Sequence, residues 1–129
     1  MATLTPTLKL ASTDVTSDAL SFTVTDTLTV GAPSVGLSKT AIAVSGGSDT
    51  TIVASSAGNK YVFIKHTGLQ SDGSTATTQE VVVDFGTTDS IRISAGEFAW
   101  FPAKASTALT AVSAGNQTII IEYAYWTKG

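Results

Sequence analysis

His66 is the only histidine in the chain, so any Ser/His/Asp triad or multi-histidine metal site would have to be built around it. It closes the run Tyr61-Val-Phe-Ile-Lys-His66, where a strand leaves the sheet through Thr67-Gly68. The simple reading is a strand-end side chain bonded to the next turn. The ten carboxylates could supply an acid/base pair only if two of them converged in a cleft. Asp14, Asp18, Asp49, Asp72 and Asp89 instead stand beside Ser, Thr or Gly, the setting in which Asp closes Asx-turns. Asp72, Asp84, Asp89 and Glu97 could hold calcium if neighbouring loops met, although none follows an EF-hand pattern. Cysteine is absent, which removes disulfides, thiolate nucleophiles and cysteine zinc sites together. The glycines lie between strand-like runs and none opens a helix, so phosphate-cradling loops are excluded. Asn116-Gln-Thr118 has the form of a glycosylation acceptor without the secretory context that would give it meaning, and reads as a turn. The expectation is a protein that is not an enzyme, with no catalytic residue, no cofactor and no metal.

Aromatic residues are the more informative group. Phe98, Trp100 and Phe101 share one strand-like run, and Tyr123, Tyr125 and Trp126 share the last. Adjacent residues such as Trp100-Phe101 and Tyr125-Trp126 point to opposite faces of a sheet, so large apolar area falls on both faces. One parity suits a core; the other suits a subunit interface, where aromatics are enriched, or a sugar-stacking platform. Together with Leu4, Leu8 and Leu10 these six residues form the candidate interface.

The elements that position them are strands. Thr, Val and Ile fill 41 of 129 positions, and β-branched side chains fit a pleated, half-buried surface. Residues 22 to 30 place Thr at alternate positions opposite Phe22, Val24, Leu28 and Val30, with Asp26 breaking the apolar parity. That break predicts an edge, a bulge or a subunit contact. Leu4, Pro6, Leu8 and Leu10 share a parity in the opening segment, where the missing amide of Pro6 demands an edge or an extended arm. Gly31 to Gly36 and Ser45 to Asp49 read as turns, and a weak strand runs between them. Tyr61 to Ile64 reads as a strand covered on both faces, and residues 68 to 79 as a mobile exposed loop. Glu122, alternating with apolar neighbours, suits a partly exposed sheet face. The remaining runs bring the count to eight or nine strands spaced by about 8 to 12 residues, as in an antiparallel β-sandwich of jelly-roll type. Residues 1–18 are expected to form an N-terminal arm or edge strand and residues 19–129 a single sandwich domain.

Composition bounds the class. With 43% apolar and 13% charged residues and a net charge of -3, the chain lies outside charge-driven disorder. Thr (22) and Ser (15) carry much of its polarity. Its six lysines and single arginine are scattered singly, which argues against nucleic-acid binding. No apolar run approaches the roughly 20 residues of a membrane span, so no membrane partner is expected. The Met-Ala-Thr-Leu-Thr-Pro opening lacks the basic start and apolar stretch of a secretory signal, consistent with synthesis and retention in a cytosol.

The order Tyr61-Val-Phe-Ile-Lys-His-Thr-Gly68, Val81-Val-Val-Asp-Phe-Gly86, Ile91-Arg-Ile-Ser-Ala-Gly-Glu-Phe-Ala-Trp-Phe-Pro102, a Leu-Thr-Ala-Val-Ser-Ala-Gly stretch and a closing Ile-Glu-Tyr strand carries a resemblance. Over residues 58 to 125 it resembles small all-β structural proteins of tailed bacteriophages, those of marine and cyanobacterial phages above all. The resemblance implies a virion component assembled in a host cytoplasm, a capsid decoration or cement protein first, with a head-tail or fibre-associated part as a close relative. Its implied partners are copies of itself, in a symmetric oligomer such as a trimer, and the major capsid protein or another virion protein. It carries over no catalytic residues. Two other readings fit the residues: a carbohydrate- or receptor-binding module of a tail or fibre, resting on Trp100, Trp126 and the Tyr pair, and a subunit of a bacterial surface fibre.

Overall fold

A computed structural model describes residues 2–129. Within them the chain forms eleven strands and no helix: β1 (Ala2–Leu4), β2 (Thr7–Ser12), β3 (Leu20–Thr25), β4 (Leu28–Ile42), β5 (Thr50–Val53), β6 (Lys60–His66), β7 (Val81–Phe85), β8 (Thr88–Ile93), β9 (Phe98–Ala103), β10 (Leu109–Ser113) and β11 (Ile119–Lys128). All strand pairs are antiparallel. A five-stranded sheet, β1-β4-β11-β6-β9, packs on a four-stranded sheet, β5-β10-β7-β8, while β2 and β3 pair only with each other. The antiparallel β-sandwich expected from the alternation is therefore the architecture, with more strands than the eight or nine expected.

The extra strands have local causes. Thr5-Pro6 splits the opening alternation into β1 and β2, and Asp26-Thr27 splits the next one into β3 and β4. Asp26 accepts the amide of Thr27 at 2.7 Å through its own carboxylate, which ends the ladder there. The four-residue β5 is too short to show alternation, yet it supplies Ile52 and Val53 to the core. The expected turn from Gly31 to Gly36 lies instead inside β4, whose pairing with β11 shifts register between Trp126 and Thr127 and between Tyr123 and Tyr125. Bulges absorb the glycines, and Pro33 is tolerated because, among the described residues, β1 opposes β4 only at Leu28, Thr29 and Val30 and leaves that side open at Pro33.

The core lies between the two sheets. Ile42, Val62, Ile64, Ile119 and Ile121 come from the larger sheet; Ile52, Val81, Val83, Ile93 and Leu109 come from the smaller. Phe101, Tyr123 and Tyr125 pack against this cluster from the larger sheet, and Phe85 meets Phe101 edge-on at 5.5 Å from the other side. Residues 68–79 are an ordered lobe rather than the expected mobile loop. Leu69 bridges Ala76, and Asp72 accepts the amides of Ser74 and Thr75 at 2.9 and 2.8 Å and the hydroxyl of Thr75. These bonds, the Thr75 hydroxyl first, hold the Asp72 carboxyl down at about 2. Polar bonds replace the apolar packing whose absence suggested mobility. Buried Thr77 donates to Gln117 Oε1, and Gln79 takes the Gln117 amide at 2.9 Å and donates to Asn116 at 2.8 Å.

Gly115 admits that Gln79 side chain: a Cβ there would stand 2.4 Å from Gln79 Cδ. Gly115→Ala should thus expel Gln79 from its bonds and lower the unfolding free energy by about 1–3 kcal/mol. Urea denaturation checks it, and Gln79→Ala should remove most of the difference between alanine and glycine at position 115.

Candidate functional site

His66 is fully buried. Its Nδ1 accepts the amide of Gly68 at 2.9 Å, so Nε2 carries the proton and donates to the carbonyl of Gln79 at 2.8 Å. Both ring nitrogens are occupied by backbone, and the ring ties the end of β6 to the lobe. The four carboxylates considered for calcium do not converge: Asp72 closes its own turn, and Glu97 accepts the Ser94 amide at 2.8 Å. Among the described residues no group of three or more His, Cys, Asp or Glu side chains is placed to hold a metal ion.

Among the described residues Asp84 is the one buried carboxylate. It stands on the outer face of the smaller sheet, opposite Thr110 on β10 and Asp89 on β8. Its Oδ1 and Thr110 Oγ1 are buried without a hydrogen-bond partner. Burial first, then Asp89 and Asp49, push its carboxyl above the ordinary range. On the same side Arg92 contacts Glu80 at 3.0 Å and Asp89 at 3.8 Å.

The other outer face, that of the five-stranded sheet, carries the aromatics. Strand parity assigns them row by row. Glu122 lies opposite Lys65 and Lys39, Ala124 opposite Phe63, and Trp126 opposite Tyr61; Phe63 lies opposite Trp100, and Lys65 opposite Phe98. The Tyr61 and Trp100 rings stack at 5.9 Å and 8°, Trp126 tilts against Trp100 at 5.9 Å, and Phe63 lies 6.3 Å from Phe98. Lys128 Nζ sits 4.7 Å from the Tyr61 ring centre, and Lys39 reaches Glu122 at 3.6 Å. Phe98 and Trp100 remain 61% and 37% exposed. Of the six C-terminal candidates, Phe98, Trp100 and Trp126 thus share this solvent-facing strip, while Phe101, Tyr123 and Tyr125 face inward. Tyr61 and Phe63 belong to the strip and were not among the candidates. The alternation Tyr61-Val62-Phe63-Ile64 could have found them, since it puts both aromatics on one face; that face is half-covered, not covered as expected.

The three leucine candidates lie at the opposite end of the molecule's sequence. Leu4 opposes Leu28 in the larger sheet, and Leu8 opposes Val24 and Leu10 opposes Phe22 in the β2–β3 ribbon. The register runs one for one from Ala2 opposite Val30 to Ser12 opposite Leu20, so β1–β4 and β2–β3 are one long hairpin interrupted at Pro6 and Asp26. Even there the Asp26 amide donates to the Pro6 carbonyl at 3.2 Å. One face of the ribbon is Leu8, Leu10, Phe22 and Val24, all exposed, and the other is Thr7, Lys9, Ser21, Thr23 and Thr25. The projecting unit runs through Thr25, so the expected boundary near residue 18 falls in the ribbon's tip. The chain exposes 7197 Å², against roughly 6,400 Å² for a compact protein of this mass. A ribbon wet on both faces accounts for the direction of that difference.

The arrangement offers no cleft with converging acid, base and nucleophile among the described residues; it offers two uncovered apolar surfaces. No model of a known protein family matches the chain, and neither does any curated protein.

Proposed function

We propose that the chain is a non-enzymatic structural protein of a phage virion, a capsid decoration or cement subunit that associates with copies of itself and clamps neighbouring capsid subunits. The observation that carries the self-association is the ribbon. A two-stranded sheet on its own is marginal in water, and this one leaves four large apolar side chains exposed on one face. A cover supplied by assembly would stabilise it by mass action. The virion assignment rests on the resemblance of residues 58 to 125 in strand and turn punctuation, and the Thr-rich second face suits close packing because hydroxyls cost less to desolvate than charges.

Sedimentation of the full chain at micromolar concentration should show a discrete oligomer, and the protein should co-purify with virions in hundreds of copies per particle. A monomer that does not bind assembled capsids would overturn the reading. A second reading, a glycan-binding tail or fibre module, is favoured by one observation: the near-parallel Tyr61 and Trp100 rings on a solvent-facing sheet, with Trp126 beside them. Glycan-array screening decides it, and an array without a hit removes it.

A further inference from the structure

We infer that the ribbon of one copy lies on the aromatic strip of a second copy, in reciprocal exchange, so that each subunit covers its neighbour's Trp100 and Trp126 with its own Leu8, Leu10, Phe22 and Val24. This rests on the self-association proposed above and names the surface that the ribbon meets.

Three observations select that partner. The first is area. Six cross-strand pairs make a ribbon about 20 Å long and 10 Å wide. Ribbon packed on ribbon would then cover only a few hundred Å² per copy, short of the roughly 800 Å² that a stable interface takes from each partner. Exchange uses both apolar surfaces of both copies and about doubles the area, which brings it nearer to that figure without the ribbon alone having to supply it. The second is charge. The ribbon segment 7–26 carries Asp14, Asp18 and Asp26 against one lysine, while the strip is bordered by Lys65 and Lys128. None of these three aspartates or two lysines is in an ion pair among the described residues. The third is spacing. Lys65 lies opposite Glu122, and Lys128 is six residues further along β11, a separation of about 20 Å with the aromatic rows between them. Asp26 at the base of the ribbon and Asp14 and Asp18 at its tip bracket a similar length. Opposite charges at both ends of two apolar surfaces of matching length set register as well as attraction.

The absence of native cysteine makes the test clean. Leu10→Cys and Phe98→Cys, both at exposed positions, are purified separately, mixed at micromolar concentration, allowed to exchange and oxidised mildly. The mixed disulfide should exceed either like-with-like disulfide by about tenfold, because assembly raises the effective concentration of that pair alone. Dominant Leu10→Cys self-pairing in a sedimenting oligomer would overturn the exchange and leave self-association standing; random pairing in a monomeric protein would overturn both. Tryptophan emission gives a second readout, because the strip holds both tryptophans of the chain. Emission should shift to the blue as wild-type protein is concentrated and stay unshifted in Phe22→Ser, whose substitution is on the ribbon and not on the strip. An unshifted wild type that nevertheless assembles would also overturn the exchange.

Discussion

Replacing His66 with alanine should lower the unfolding free energy by about 3–4 kcal/mol, a large share of the 5–15 kcal/mol typical of a domain. Two effects combine. The ring is fully buried, so its removal leaves a cavity in a close-packed interior. It also strands the Gly68 amide and the Gln79 carbonyl, which lose the ring nitrogens that pair them. His66→Phe separates the two, since it keeps the volume and loses both bonds; about 2 kcal/mol of the loss should remain. Urea denaturation of the three proteins checks the order. Hydrogen exchange locates the damage, because the amides of Gly68 and Thr77, which link the strand end to the lobe, should lose protection first. A loss below about 1 kcal/mol in His66→Ala would show that the imidazole is not what fastens the lobe.

Where a property depended on neighbours along the chain, it was legible. The parity of Leu4, Pro6, Leu8 and Leu10, and of Phe22, Val24, Leu28 and Val30, is local, and within each ladder its members do share a face, Leu4 with Leu28 and Leu8 and Leu10 with Val24 and Phe22. That the two sets pair with each other over the full length of a hairpin is a long-range fact that neither segment states alone. Gly31 to Gly36 carries turn chemistry, but the stretch of β4 beyond its pairing with β1 accommodates bulges and Pro33, so tertiary pairing with β11 overrides it. The lobe misled in the opposite direction, since Asp72, Thr77 and Gln79 hold it with bonds that hydrophobicity does not register. For the aromatics, alternation says that Trp100 and Phe101 part company; only the position of the second sheet says which of them faces water. That is why the candidate interface mixed inward Phe101, Tyr123 and Tyr125 with outward Phe98, Trp100 and Trp126. Asp84 was visible as a carboxylate within Val81-Val-Val-Asp-Phe85, but its burial on an outer face depends on Thr110 and Asp89 beside it.

Asp84→Asn should stabilise the protein at neutral pH by about 1–3 kcal/mol. The Asp84 side chain is 6% exposed in a central strand, one oxygen has no donor, and its cross-strand neighbour is another carboxylate. Ionised, it bears the desolvation cost and the repulsion of Asp89; protonated, it can donate a hydrogen bond to Asp89, which is how both neighbours and burial raise its folded pKa. The sign of the pH dependence follows. With the folded pKa above the unfolded one, the folded state holds the proton more tightly. The stability from this group is therefore complete below the ordinary carboxylate value of 3.8 and is lost as pH rises through the raised one. Asparagine cannot ionise and its amide can donate to Asp89 at every pH. The two proteins should accordingly unfold at nearly the same urea concentration in acid and diverge above the raised pKa, with the variant the more stable. Asp72 acts below that window and with the opposite sign, its contribution being lost as pH falls from 3.8 through about 2, but it is present in both proteins and cancels from the difference. Equal stabilities from acid through alkaline pH would mean that Asp84 is ionised without penalty, and a less stable variant would mean that its charge is satisfied by a donor such as Arg92.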